Sequence, residues 1–412
     1  MKFLLVSQYF WPESFIINDL VRKLVEQGHE VVVATGKPNY PNGDVFPGYT
    51  AKGIQRERFA ESVELLRVPL WPRGQGGALN LALNYLSFVA TGLLCLPWLL
   101  RGRKFDAILV FAPSPITQVI PAIALKWLKR THLAVWVQDL WPESLAATGF
   151  VRNPKVLKAV GWMVRGIYAC CDTLLIQSRA FADPVARYAC REKLVYYPNS
   201  IAAEPAADTA ETVPDELCRE LEQNFSVVFA GNIGTAQAIE TLVGAAELLR
   251  AEEGLRLVLV GSGSKLDWVR ERKQALKLDN LTLAGRFPMS AMPHIFERAS
   301  ALLVSLRDEE IFAYTIPSKV QAYLAAGRPV IASLRGEGAR VVEEAGAGRI
   351  CEPENARALA DSILALKAMT PAEREAAGLS GRAYFNEHFD MDRQVKRLVE
   401  ILGSRATEAG GV

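Results

Sequence analysis

Short apolar runs of strand length alternate with longer helical stretches, and the alternation runs twice along the chain. In the first half the runs are Phe3 to Ser7, Glu30 to Thr35, Val63 to Val68, Ala107 to Phe111, Leu133 to Val137 and Thr173 to Gln177. In the second they are Ser226 to Ala230, Leu257 to Val260, Leu281 to Ala284, Ala301 to Ser305 and Val330 to Ser333. Runs that are apolar throughout, rather than at alternate positions, suit strands covered on both faces. Strands separated by helices pair in parallel. The pattern predicts an α/β chain of two Rossmann-like domains with parallel sheets facing a central cleft, because ligands of open α/β sheets bind beyond the carboxyl ends of the strands.

The join is legible as a change of composition. The stretch IAAEPAADTAETVP lacks apolar periodicity and is rich in Ala, Glu, Thr and Pro. It predicts an N-terminal domain over 1–200, a linker over 201–215 and a C-terminal domain over 216–390. A last helix over 391–405 is expected to pack back toward the N-terminal domain, ahead of a disordered ATEAGGV tail. Phe15, Ile16, Leu20, Leu24 and Val25 predict the inward face of the first helix.

Half of the 412 residues are hydrophobic and 22% are charged, which is the balance of a globular enzyme. A formal charge of +2 gives no global field for nucleic acid. The six cysteines show no CxxC spacing and the four histidines no HExxH, so no metal site and no disulfide frame are expected. Met1 to Gln8 lacks a cleavable leader pattern and is expected to belong to the fold, in a cytoplasmic protein.

One segment stands apart. Ala78 to Leu100 carries no charge, yet Asn80, Asn84, Ser87 and Thr91 recur along it at helical spacing. Arginines and a lysine flank it at Arg67, Arg73, Arg101, Arg103 and Lys104. A buried core helix, a helix dipping into one bilayer leaflet and a true span all fit this pattern.

Three features could carry chemistry. The tetrapeptide Trp-Pro-Glu-Ser occurs at Trp11 to Ser14 and again at Trp141 to Ser144, each time after a strand. Its plain reading is helix-start chemistry, with proline in a first turn and glutamate at the positive end of the helix dipole. Its functional reading turns Glu13, Glu143 and Asp139 toward the ligand side, where one carboxylate could orient a hydroxyl or take its proton. Second, the turns Gly231-Asn232-Ile233-Gly234 and Gly261-Ser262-Gly263 follow strands and would let backbone N–H groups approach a phosphate. The first βα turn, SQYFWPES, has no glycine, which argues against a dinucleotide-dependent dehydrogenase. Third, Pro317, Ser318 and Lys319 open a short helix and place N–H groups and a cation at its start. That is a diphosphate site in outline, although an ordinary loop-helix-glycine-strand unit reads the same way.

These segments carry a resemblance. PSKVQAYLAAGRPVIAS is similar to the donor segment of family-4 retaining glycosyltransferases, FAGNIGTAQAIETL to the glycine loop that begins their second domain, and YYPNS to the turn before their linker. WVQDLWPES and the NYLSF stretch resemble the subgroup that builds bacterial O-antigen and capsule, which includes N-acetyl-L-fucosamine transferases. The resemblance implies the GT-B fold and sugar transfer, with retention of configuration, from a UDP-sugar to a polyprenyl-diphosphate-linked acceptor at the inner face of the cytoplasmic membrane. It implies no cofactor and no metal, because helix starts and basic side chains offset the leaving charge. It assigns Gly231, Asn232, Gly234, Arg286, Pro317, Ser318 and Lys319 to the donor diphosphate, with Gly261 and Gly263 as the neighbouring glycine turn. It assigns Asp139, Glu13 and Asn18 to the acceptor or transferred sugar, beside Trp11, Trp141 and Glu143. The chain departs from the family where a glutamate pair is common, reading Tyr314 and Ala322, and where the glycine loop often has Arg and Lys, reading Asn232 and Gln237. Glu309 or Glu310 stands just upstream as a substitute. A UDP-sugar epimerase and a non-catalytic nucleotide-sugar-binding protein remain the competing classes.

Overall fold

The computed structural model describes residues 1–74, 77–147, 151, 153–202 and 213–410, with side chains described as far as Arg405. The chain divides into two compact units, Met1–Ser200 with Met391–Val412, and Ile201–Asp390.

The first unit holds an eight-stranded sheet. Its strands are β1 (Lys2–Ser7), β2 (Glu30–Thr35), β3 (Gln55–Phe59), β4 (Val63–Arg67), β5 (Ala107–Ala112), β6 (His132–Val137), β7 (Thr173–Ile176) and β8 (Leu194–Tyr196), in the order β3-β4-β2-β1-β5-β6-β7-β8. All neighbours are parallel except β3 and β4. The sequence pattern misses β3 and β8. QRERF carries three consecutive charges because it is an antiparallel edge strand, and LVY is too short for a periodicity to show.

Successive strand residues point to opposite faces. Phe3, Leu5, Val33, Leu109, Phe111 and Trp136 meet one helical layer, made by Ile16–Glu26 and by Met391, Val395, Leu398 and Leu402 of the last helix, Met391–Gly410. That helix runs through most of the predicted tail; only Gly411 and Val412 lie outside the described residues. The inward face of Ile16–Glu26 is Ile17, Leu20, Val21 and Leu24, whereas Ile16 and Val25 are half-buried at its margin. The opposite layer is built from Ala78–Leu99, Val119–Lys129 and Pro154–Cys170, which precede β5, β6 and β7.

Ala78–Leu99 buries Asn84, Phe88, Gly92, Leu96 and Leu99, with Gly92 against Pro121 of the neighbouring helix, and leaves Leu79, Leu86, Leu94 and Trp98 exposed. It is therefore a surface layer and not a buried core helix. It is long and apolar enough to cross a membrane. However, β1 before it and β5 after it pair directly in one sheet, which a crossing would divide. Pro97 is accommodated inside its last turn. The polar stripe has a structural use. The Ser87 hydroxyl accepts from Trp71 N at 2.8 Å, the Thr91 hydroxyl donates to Pro69 O at 2.7 Å, and the Asn84 amide donates to Trp71 O at 2.5 Å. The helix thus holds the loop that leads into it.

The second unit holds a six-stranded, all-parallel sheet: β9 (Phe225–Asn232), β10 (Leu255–Ser262), β11 (Leu281–Gly285), β12 (Ala301–Ser305), β13 (Val330–Ser333) and β14 (Gly348–Cys351), in the order β11-β10-β9-β12-β13-β14. β14 is the strand the sequence pattern misses; GRIC holds too little apolar character to mark it. Val227, Phe229, Leu257, Leu259 and Leu303 face one helical layer, and Val228, Val258, Val260, Leu302 and Val304 face the other. Of the expected linker, 203–212 lies outside the described residues. Val213 is buried in the second core and Asp215 already starts a helix, while Ile201 bridges to Asp390.

Candidate active site

Strand order reverses between β1 and β5 in the first sheet, and between β9 and β12 in the second. At such switch points the flanking loops diverge and leave a crevice at the carboxyl edge. Most of the residues singled out by sequence lie at or near these two edges.

At the first edge the two Trp-Pro-Glu-Ser turns do different things. In both, the Trp–Pro bond is cis. Pro12 lies in a turn ahead of the helix, which begins only at Ile16, so the helix-start reading does not describe it. Glu13 is 2% exposed and its carboxylate is taken up by three backbone donors: Phe10 N at 3.1 Å, Asn39 N at 2.8 Å and Tyr40 N at 2.7 Å. Burial pushes its pKa up to about 7 against the pull of those N–H groups. The Asn18 amide accepts from Trp11 N at 3.1 Å and donates to Glu13 O at 2.7 Å, and buried Arg67 donates to Trp11 O. Trp11, Glu13 and Asn18 thus form one internal knot that fixes the loop after β1 to the loop after β2.

The second turn surrounds Asp139. Burial raises this carboxyl above the ordinary aspartate value, although the Ser144 and Trp141 side chains and the Leu140 N–H bond to it. Trp141 Nε1 lies 3.3 Å from Asp139 Oδ2. Glu143 turns toward Arg187, 3.6 Å away. Two residues that the sequence did not single out for chemistry join this edge, Tyr85 near Asp139 and Arg73 near Tyr85. Burial first, and then the Asp139 charge, raise the Tyr85 phenol, while Arg73 and Ser114 pull it down. Arg73 lies over the rings of Tyr40, at 5.1 Å, and Tyr9, at 5.9 Å, and pairs with no carboxylate among the described residues. A phenol coupled to a raised carboxyl and to a cation can orient a polar, anionic acceptor.

At the second edge, β9 and β10 end in bare backbone. Gly231 has φ +131° and Gly261 φ +139°, and a Cβ on Gly261 would overlap the Gly231 carbonyl oxygen. A Cβ on Gly263 would lie 2.6 Å from Asn232 Oδ1. The Asn232 amide donates to Gln237 Oε1 at 3.3 Å, with Gly234 between them. Pro317 ends the preceding loop, exposed Ser318 opens the helix Ser318–Ala326, and Lys319 reaches back to β9. Its ammonium lies 3.9 Å from the Phe229 ring centroid, and a Cβ on Gly231 would come within 2.8 Å of it. The Lys319 Nζ is buried with no hydrogen-bond partner, and desolvation pushes its pKa down to about 8.

A further cation went unnoticed in sequence. Arg307 follows β12 at the switch point, its N–H donates to Ala236 O at 3.0 Å, and its buried Nε has no hydrogen-bond partner. Burial would raise the nearby Glu240 carboxyl, but Lys265 and Arg307 outweigh it and hold it below its ordinary value. No sequence signal could find Arg307, since β9 and β12 become neighbours only in the fold. Arg286, in contrast, is exposed at the end of edge strand β11, on the far side of β10 from β9. The Tyr314 hydroxyl donates to Glu310 Oε1 at 2.7 Å, which brings a carboxylate to the position that has none in sequence. Exposed Glu309 has no such bond among the described residues. Among the described residues, no three His, Cys, Asp or Glu side chains converge as metal ligands would.

Comparison with known proteins finds a match in each of the two units. Residues 15–200 match the glycosyl transferase 4-like domain and residues 224–368 match the glycosyl transferases group 1 family. WcaI of Escherichia coli K12, named for glycosyl transfer in colanic acid biosynthesis, is 24% identical over 384 residues, covering 88% of this chain and 91% of its own. WbjE of Pseudomonas aeruginosa, named as a glycosyltransferase, is 25% identical over 284 residues, covering 64% of this chain and just under two thirds, 66%, of its own. The crystal structure of Anabaena HepE in complex with UDP superposes with a TM-score of 0.66 at 14% identity, covering 98% of this chain and all of that one. The chain thus carries a glycosyl transferase 4-like domain followed by a glycosyl transferases group 1 domain, and its GT-B fold is shared with solved structures across nearly the whole length.

Proposed function

We propose that this glycosyltransferase moves a sugar from a UDP-sugar to a lipid-linked saccharide in bacterial envelope polysaccharide synthesis, with retention of configuration. The transferred sugar is N-acetyl-L-fucosamine or a related amino or deoxy sugar, as the WVQDLWPES resemblance suggests. The name of WcaI supports the pathway class, that of WbjE supports glycosyl transfer, and the UDP in HepE supports the nucleotide.

The observation that carries the reading is Lys319, a buried ammonium without a hydrogen-bond partner beside the bare backbone of Gly231. A diphosphate supplies the charge that such a cation lacks. Arg307 takes the part of the basic residues absent at Asn232 and Gln237, while Pro317 and Ser318 present the helix start. Gly234, Gly261 and Gly263 keep side chains out. Glu310, held by Tyr314, stands in for the missing glutamate toward the nucleoside. Arg286 contributes at long range only.

At the first edge Asp139 orients the acceptor hydroxyl, with Tyr85 and Arg73 beside it. Glu13 and Asn18 act through the loops they fix. The acceptor oxygen bonds to the anomeric carbon as the bond to UDP breaks, and the hydroxyl proton passes to the departing phosphate oxygen. The leaving charge is offset by Lys319 and Arg307, so the reading assigns no metal and no cofactor. The exposed stripe of Ala78–Leu99 supports work at the cytoplasmic membrane, on its inner face.

A panel of UDP-sugars with polyprenyl-diphosphate-linked acceptors, read by mass spectrometry, tests this. Transfer that falls about 100-fold in Asp139→Asn with donor affinity kept supports the assignment. Turnover of the UDP-sugar with no acceptor present would favour an epimerase instead, and donor binding with no transfer at all would favour a non-catalytic binder.

A further inference from the structure

The two helical layers on the first sheet differ in charge. The layer of Ile16–Glu26 and Met391–Gly410 mixes both signs. The other layer, Ala78–Leu99, Val119–Lys129 and Pro154–Cys170, contains no aspartate and no glutamate. Its charges are all positive. Lys126 pairs with Asp172, and Lys129 donates to main-chain carbonyls after the first of these helices. Lys155 and Lys158 are exposed and form no ion pair among the described residues.

Each of the three helices also exposes large apolar side chains. Leu94 is 78% exposed, and the tryptophans Trp98, Trp127 and Trp162, one from each helix, are 65–67% exposed. An apolar patch spread over three adjacent elements marks an interaction surface. Tryptophan beside lysine is the composition of a surface seated at lipid headgroups. A second copy of the chain fits poorly, because a twofold contact would set these cations against themselves with no carboxylate to answer them.

We infer that the three-helix face docks on an anionic bilayer leaflet, with Trp98, Trp127 and Trp162 in the headgroup layer and Lys155 and Lys158 against lipid phosphates. This rests on the membrane reading above and extends it. The contact is no longer one helix but a composite face, and it is selective for lipid charge. The same first helix holds the loop carrying Arg73 through Asn84, Ser87 and Thr91, so docking would set the acceptor residues at a fixed height above the lipid.

The test is cosedimentation of the full chain with vesicles of phosphatidylcholine alone and of phosphatidylcholine with about one-third phosphatidylglycerol. Binding to the anionic vesicles only, weakened by salt, is expected. Lys155→Glu with Lys158→Glu should lower it by roughly 30-fold or more. Trp127→Ser with Trp162→Ser should lower it at unchanged charge, and Lys396→Glu in the other layer should leave it alone. Circular dichroism confirms that each variant is folded. Equal binding to both vesicles, unchanged binding by the lysine variant, no binding at all, or a dimer abolished by Trp162→Ser would each overturn the inference. Transfer to a short water-soluble acceptor separates the two readings. It persists in the lysine variant if only docking is lost, and its absence from the wild type with vesicle binding intact would sink the transfer reading alone.

Discussion

The loop after β1 and the ends of β9 and β12 use buried charged side chains in opposite ways. At the first, around the loop after β1, Glu13 accepts three backbone N–H groups, Asn18 bonds on both sides, and Arg67 reaches Trp11, Gly36 and Glu57. At the second, the Lys319 Nζ, the Arg307 Nε and the Ser305 hydroxyl are buried without a hydrogen-bond partner. Native interiors rarely leave such groups unanswered unless a ligand answers them. The first set is scaffold, and the second awaits something charged. Carboxylate type alone did not separate the two roles; hydrogen-bond accounting does.

The largest effect should come from the unanswered cation. Lys319→Ala is expected to cut kcat/KM for transfer by about 100-fold, mostly through the donor diphosphate, with no loss of thermal stability. Donor affinity equal to wild type by calorimetry would remove Lys319 from the site. Next comes the saturated carboxylate. Glu13→Gln sets an amide donor against backbone donors and should lower stability by about 1–3 kcal/mol in a denaturant melt, while donor affinity of the folded protein stays the same. If stability were untouched and transfer lost, Glu13 would move from scaffold to chemistry.

The smallest effect is one of pH. With its pKa near 8, free Lys319 loses its proton as pH rises from 7 to 9, so donor affinity should weaken about tenfold over that range and stay flat in Lys319→Arg. Stability of the free protein should run the other way. Between about 8 and the ordinary lysine value, the unfolded chain binds more protons than the folded one, so unfolding becomes harder as pH rises. A wild-type affinity profile without slope would contradict the buried, unpartnered state.

The sheet cores were readable in the sequence because buried parallel strands are apolar throughout; β1, β6 and β12 need no partner to be recognised. β3 and β14 were not, since edge strands carry the composition of a surface. Ala78–Leu99 was readable as a helix but not in its placement, because its polar stripe binds the preceding loop instead of facing solvent and leaves apolar side chains exposed. Glu13 was picked out by type, but its structural use was not legible, since its partners at Asn39 and Tyr40 belong to the loop after another strand. Lys319 was legible because its helix start is local. Arg307 was not, because what matters about it is the neighbour β9.

The contact of Gly231 with Gly261 has a consequence for how such an enzyme can change. With main chain closing over Gly261 and the Lys319 ammonium over Gly231, neither residue has room for a side chain, and that floor is main chain, which is the same in every sequence, beside one lysine. Such a floor can hold a phosphate but cannot tell one sugar from another. New donor preferences would have to arise in the surrounding loops, where substitutions leave the strand ends alone. A library aimed at altering the transferred sugar should therefore hold these two glycines constant.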